Sequence, residues 1–235
     1  MTRPDPAGAP PPGGVACLYQ DGDLLVLAKP PGLLCVPGRG PDKQDCLSAR
    51  AQARWPDALV VHRLDQATSG LVLMARHPEA QRRLGDAFAQ RRVDKRYQAV
   101  VRGLPRPDAG AASAGGWSLI DLPLIADWPN RPLQKVDLEH GKPSQTRWRS
   151  VRHDAARGVT LLDLEPLTGR SHQLRLHLAS IGHPILGDTL YADAATQAMA
   201  PRLLLHASSL RFVHPGHGGE CVFQVPTDFW GQIGL

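Results

Sequence analysis

His62-Arg63-Leu64-Asp65-Gln66-Ala67-Thr68-Ser69-Gly70 runs directly into the apolar stretch Leu71-Val72-Leu73-Met74. One carboxylate, Asp65, stands between a basic pair and a Thr-Ser-Gly turn, at the mouth of a strand. An acid held there beside Arg63, with a glycine that lets a bulky ligand approach the backbone, suits attack on a large anionic substrate.

Outward from this stretch, apolar runs and turn residues alternate. Leu24 to Leu27 reads as a buried strand, ended by the turn Lys29-Pro30-Pro31-Gly32. A short helix is expected around Leu47 to Ala53. Val60-Val61 then leads into the Asp65 loop, and Leu71 to Ala75 is the strand that follows. Pro78 fits the first turn of a helix to about Arg92. Ala80, Leu84, Ala87 and Phe88 fall at helical spacing there, leaving Arg82, Arg83 and Arg91 to face outward. Further strands are expected at Tyr97–Val101, Thr146–Val151, Val159–Leu164, Leu203–Leu205, Leu210–Val213 and Cys221–Val225, with a turn near His153 to Gly158. Ser171 is a good N-cap for a helix through Ile181, which Gly182 stops. Strands outnumber helices and their connections vary in length. The pattern predicts an α+β fold with a mixed, largely antiparallel sheet flanked by helices and loops.

The 235 residues allow one large core or two small ones, and 42% hydrophobic and 21% charged content is ordinary for a globular protein. Residues 1–14 carry eight Pro and Gly and have almost nothing to bury, so a disordered tail is expected there. Residues 15–235 read as one domain, with a mobile Gly/Ala/Ser insertion from Pro107 to Gly116. No apolar run approaches membrane-spanning length and the tail has no signal-peptide core, so a cytoplasmic location is expected. Cys17, Cys35, Cys46 and Cys221 show no C-x-x-C spacing, and their expected state is free thiol. His62, His172, His177, His183 and His206 lack a completing acid at ligand spacing. No metal is expected.

Net charge is only +5, but it is unevenly spread. From Arg76 to Arg106, nine Arg and Lys face three acids, a local net of +6, so the remainder of the chain nets −1. Such concentration is the footprint of a polyanion, with a solvated helix face as the alternative.

Five segments, taken in order, resemble the RluA-type pseudouridine synthases. They are the His62-Arg63-Leu64-Asp65 stretch with Thr68-Ser69-Gly70, Lys95-Arg96-Tyr97-Gln98-Ala99, Thr168-Gly169-Arg170-Ser171-His172-Gln173-Leu174-Arg175, Gly182-His183-Pro184-Ile185-Leu186-Gly187-Asp188 and Leu205-His206-Ala207. The similarity runs from about Leu18 to Phe229. Within the family the chain looks closest to its short dual-specificity type, through Leu18-Tyr19-Gln20-Asp21, Val36-Pro37-Gly38-Arg39, Asp127-Trp128-Pro129-Asn130-Arg131-Pro132 and Met199 to Ala207. Some relatives carry an N-terminal S4-type RNA-binding domain, and the tail here is too short and too Pro-rich to be one. RNA recognition is then expected from the catalytic domain.

The resemblance implies isomerisation of an RNA uridine to pseudouridine with no cofactor. The partners it implies are RNA stem-loops, the tRNA anticodon arm and a 23S rRNA hairpin; a monomer is expected because no exposed apolar stripe stands out in the sequence. Asp65 is the implied catalytic residue, attacking ribose C1′ or assisting a glycal. Tyr97 is second, a phenol that stacks on the base and can move a proton, with core packing as its alternative. Arg175 is third, expected to hold Asp65 ionised and oriented, with an ordinary ion pair as its alternative. Among substrate-binding residues, Arg63 is expected to fill the space of the flipped nucleotide, unless it bonds nearby carbonyls. His62 accompanies it, and Leu205 lies under the uracil. Arg170 is expected to hold a phosphate beside a helix N-terminus. Arg82, Arg83, Trp128 and Arg131 are the remaining RNA contacts, Trp128 and Arg131 pairing a stacking plane with a cation unless Trp128 plugs the core. A His/Asp ribonuclease and a non-catalytic RNA-binding module are the rival readings.

Overall fold

The computed structural model describes residues 14–106 and 116–233. All of the expected tail except Gly14, and all of the expected insertion except Gly116, lie outside the described residues.

In chain order the first elements are β1 (Ala16–Gln20), β2 (Leu24–Lys29), α1 (Leu47–Arg54), β3 (Leu59–Val60), β4 (Ser69–Ala75) and α2 (Pro78–Ala89). Next come β5 (Asp94–Arg102), β6 (Ser118–Asp121), β7 (Leu124–Ala126), β8 (Gln134–Val136), β9 (Gln145–Asp154) and β10 (Val159–Pro166). The last are α3 (Gln173–Ser180), α4 (Ala194–Ala198), β11 (Leu205–Val213), β12 (Glu220–Gln224) and α5 (Phe229–Gln232). The chain forms two compact units. One runs to Asp94 and resumes from Ala207 to Pro226; the other takes Lys95–His206 and the residues from Thr227 onward. The unit boundaries fall inside β5 and β11.

In the first unit the strand order is β1-β2-β4-β11, with β3 also on β4 and β12 on β11. The pairings of β1 with β2, β2 with β4, β3 with β4 and β11 with β12 are antiparallel. Leu24 and Val26 of β2 share a face with Leu71, Leu73 and Ala75 of β4 through period-two alternation. Ala80, Leu84 and Ala87 of α2 and Leu210 and Phe212 of β11 complete that core. Each fully buried leucine contributes about 1.5–3 kcal/mol.

The helix α2 ends at Ala89, short of Arg92. Arg91 adopts a left-handed φ of 57°, Arg91 N–H donates to Phe88 O and Arg92 N–H donates to Ala87 O. These two bonds close the helix in the manner usually reserved for glycine. Val93 then turns back into the core.

In the second unit β5-β10-β9-β6 form an antiparallel sheet, and β7 and β8 a separate hairpin. The helix α3 is buried from Gln173 to Leu178. Its start departs from the expected Ser171 cap. Arg170 to Gln173 forms a tight turn closed by Gln173 N–H to Arg170 O, His172 takes a left-handed φ of 55°, and Leu176 N–H to His172 O begins the helical ladder. Ser171 is therefore an exposed turn residue, one position too early. Gly182, with φ of 81°, ends the segment as expected. Of the expected strand at Leu203–Leu205 only Leu205 is in β11, which continues through the half-buried Ser208 and Ser209 to include the expected Leu210–Val213.

Candidate active site

Asp65 lies half-buried in the loop between β3 and β4, and the backbone around it is fastened at several points. Lys29, only 2% exposed at the end of β2, donates its ammonium to the carbonyls of Pro30 (2.8 Å), Leu33 (2.7 Å) and Gln66 (2.9 Å). A buried ammonium needs such partners, and three carbonyls match its three donors. Gly32 N–H also reaches Gln66 O, Leu64 N–H reaches Cys35 Sγ at 3.1 Å, and Thr68 N–H closes a turn on Asp65 O. The residues on either side of Asp65 are thus held from β2 and its following turn, the kind of support that fixes a reacting side chain. The sequence pattern marks Lys29 only as part of a turn; a lone cation ending an otherwise apolar strand was the available signal.

His62 Nε2 accepts Leu73 N–H at 2.9 Å and its ring stacks on Phe88 with centroids 4.4 Å apart. Its imidazole braces the loop against β4 and α2. Arg63 is exposed. Gly70 requires a correction. Its φ is 116°, and a Cβ there would lie 2.6 Å from the Ala207 nitrogen and closer still to the Ala207 oxygen. The backbone that comes close is β11, not a ligand.

Arg82 and Arg83 on α2 are both exposed but differ in attachment. Arg82 lies 3.9 Å from Asp86. Arg83 pairs with Glu79 and donates to Pro215 O at 2.6 Å, tying α2 to the turn after β11. In the same unit Asp21, Asp23 and His214 stand within ligand distance of one another. Here His214 Nε2 bonds Asp21, while its Nδ1 accepts N–H from Gly216 and His217. Both ring nitrogens have protein partners. The Asp21 carboxylate also accepts the Tyr19 hydroxyl, pushing that phenol up to about 12.

In the second unit Tyr97 is half-buried on β5 opposite Leu164 of β10, and Leu205 is buried at the start of β11. Arg175 projects from α3 into a pair with Asp188: Nε to Oδ2 at 2.8 Å and Nη2 to Oδ1 at 2.6 Å. The partner expected from the sequence, Asp65, belongs to the other unit. Within its own unit the guanidinium is gripped by Asp188, a residue of the Gly182–Asp188 motif to which the sequence alone assigns no role. Asp188 Oδ1 further accepts N–H from Leu190 and Tyr191. Gln173 accepts from Thr168 and Arg170 N–H and donates to Gln145 O and Thr146 Oγ1, fixing the entry to α3. His177 contacts Thr146 and Leu122 O, and burial pushes its imidazole below the usual range. Arg170 is exposed and donates to Pro143 O at 3.4 Å.

Trp128, 66% exposed at the tip of the β7–β8 hairpin, does not plug a core. Arg131 lies over its ring at 3.2 Å from the centroid, so cation and stacking plane are already paired.

The sequence pattern that defines RNA pseudouridylate synthases matches residues 23–180. The chain belongs to that family. This synthase is 49% identical over 212 residues to the dual-specificity RNA pseudouridine synthase RluA of Escherichia coli K12, covering 90% of the chain and 93% of that relative. It is 45% identical over 217 residues to RluA of Vibrio vulnificus, covering 91% and 83%. Among solved structures it resembles human RNA pseudouridylate synthase domain containing 1, with a TM-score of 0.74 and 26% identity over 96% of this chain and 89% of that one. The synthase is accordingly an isomerase that converts uridine in RNA to pseudouridine. Among the described residues, no helix is long and apolar enough to cross a membrane.

Proposed function

We propose that this synthase acts on RNA stem-loops, isomerising the first uridine of the tRNA anticodon loop and a uridine in a 23S rRNA hairpin, with Asp65 as the residue that engages the ribose. The observation that carries this reading is the similarity to dual-specificity relatives along almost their full length. Residues 15–235 are the catalytic domain, working as a cytoplasmic monomer.

In the reaction the C1′–N1 bond breaks, the base turns, a C1′–C5 bond forms, and the hydrogen on C5 leaves as N1 gains a proton. Atoms balance without a co-substrate. Asp65 supplies the carboxylate, by bonding to C1′ or by assisting a glycal. Arg175, oriented by Asp188, is the cation proposed to orient the Asp65 carboxylate. Tyr97 stacks on the uracil, above the apolar floor offered by Leu205. Arg63 takes the place of the extruded nucleotide, with His62 bracing the loop behind it. Arg82, Arg83, Arg170 and the Trp128–Arg131 tip hold phosphates and unstacked bases.

The test incubates purified protein, without added metal or cofactor, with unmodified tRNA and 23S rRNA transcripts. Pseudouridine is then mapped by carbodiimide-blocked reverse transcription, with Asp65→Asn in parallel. Wild type should give a stop in each RNA. Asp65→Asn should give none while still binding RNA, because it removes charge but little volume. A stop in one RNA only reduces the proposal to a single substrate. Turnover by Asp65→Asn removes Asp65 from the chemistry, and unmodified RNA in both cases overturns the substrate assignment.

A further inference from the structure

Tyr191 joins three parts of the second unit. Its hydroxyl accepts Gln134 N–H at 2.9 Å and lies 2.8 Å from His172 Nδ1, with the two rings edge to face at 5.7 Å. Its backbone N–H donates to Asp188 Oδ1, the oxygen that also receives Arg175 Nη2. The Arg175 guanidinium lies 5.4 Å from the centroid of the Tyr191 ring. The start of β8, the entry to α3 and the Arg175–Asp188 pair therefore converge on one side chain.

Two features suggest that this convergence serves RNA chemistry rather than packing alone. The first is the hairpin. Two strands alone are marginal in water, so the position of the exposed Trp128–Arg131 tip depends on anchors. The base of the hairpin is fastened by Leu124 and Lys142 exchanging backbone bonds. Gln134, directly after the tip, is fastened by the Tyr191 hydroxyl. The second is the backbone of His172. A left-handed conformation costs a non-glycine residue about 1–2 kcal/mol, and such outliers gather at functional sites. A glycine would relieve that cost but would lose the imidazole that meets Tyr191.

We propose that Tyr191 is a positioning residue whose hydroxyl couples the RNA-gripping Trp128–Arg131 tip to the Arg175 guanidinium, so that RNA engaged at the tip and the alignment of Arg175 are energetically linked. The inference rests on the proposal above that the tip contacts RNA.

The test is a double-mutant cycle of Trp128→Ala and Tyr191→Phe on an unmodified tRNA transcript. It reads RNA affinity by filter binding and the single-turnover rate at saturating RNA. Trp128→Ala should weaken binding about tenfold, the scale of removing one base from its stacking platform. Tyr191→Phe removes both contacts of the hydroxyl and should slow the saturating rate about three- to tenfold, with little change in Tm. In the Tyr191→Phe background, Trp128→Ala should cost at least about threefold less than in wild type, the signature of coupling. Effects that simply multiply, or an unchanged saturating rate in Tyr191→Phe, overturn the role of Tyr191 while leaving the tip as an RNA contact. A Trp128→Ala variant that binds and turns over like wild type overturns both. Should Tyr191→Phe fail to fold, His172→Asn removes the imidazole side of the hydroxyl's two contacts, with a residue that tolerates the left-handed backbone, and the same cycle is read.

Discussion

Arg175 and Asp188 are almost wholly withdrawn from solvent, their side chains 4% and 0% exposed, and neither is easily replaced alone. Asp188→Ala leaves the guanidinium buried without its bidentate partner and should destabilise the protein by about 3–5 kcal/mol in urea unfolding. A shift below about 1 kcal/mol would mean that another group already compensates Arg175. At this scale the sequence marks the proposed reacting residue better than its supports. Asp65 stands out because it is the carboxylate at the centre of a His-Arg-Leu-Asp and Thr-Ser-Gly stretch that resembles the family's signature. Lys29, Asp188 and Tyr191 carry no such mark. Each acts through partners that only folding brings near, Lys29 through the carbonyl of Gln66 and Tyr191 through the backbone of Gln134.

At the scale of elements, β4 and β11 approach as closely as they do because Gly70 has no side chain. Gly70→Ala would press a methyl group against the backbone of Ala207 at a φ that disfavours any Cβ. It should cost more than about 2 kcal/mol, within the usual range of backbone strain plus overpacking. Thermal unfolding checks this, and a Tm like that of wild type would show that β11 can yield. Long apolar runs such as Leu24–Leu27 and Leu71–Ala75 are legible as strands because burial on both faces leaves little room for polar residues. The short β1, β6, β7 and β8 are not, since three to five residues give a period too little length to show. Helix ends are legible where glycine stands, as at Gly182, and misplaced where Arg91 or His172 takes the left-handed conformation instead.

Over the whole molecule, the net of +6 between Arg76 and Arg106 predicts salt-dependent RNA binding. Arg82 is the cleaner probe, being 68% exposed and only loosely paired. Arg82→Ala should weaken binding and reduce the slope of log K against log salt by about 0.7–0.9 for each phosphate that is no longer neutralised, without lowering Tm. An unchanged slope would show that RNA docks elsewhere. Arg83→Ala should in addition cost about 1 kcal/mol of stability, because Pro215 O loses its donor. The charge pattern is plain in the sequence, whereas the division into two units is not. No linker or change of composition marks it, because the chain passes from one unit to the other within β5 and again within β11. That arrangement bears on how the protein is made. As the chain leaves the ribosome, every residue from Lys95 to His206 emerges before Ala207 to Pro226 can complete the unit that carries Asp65. The aspartate loop must therefore wait, its sheet lacking β11 and β12, until residues 207–226 have been made.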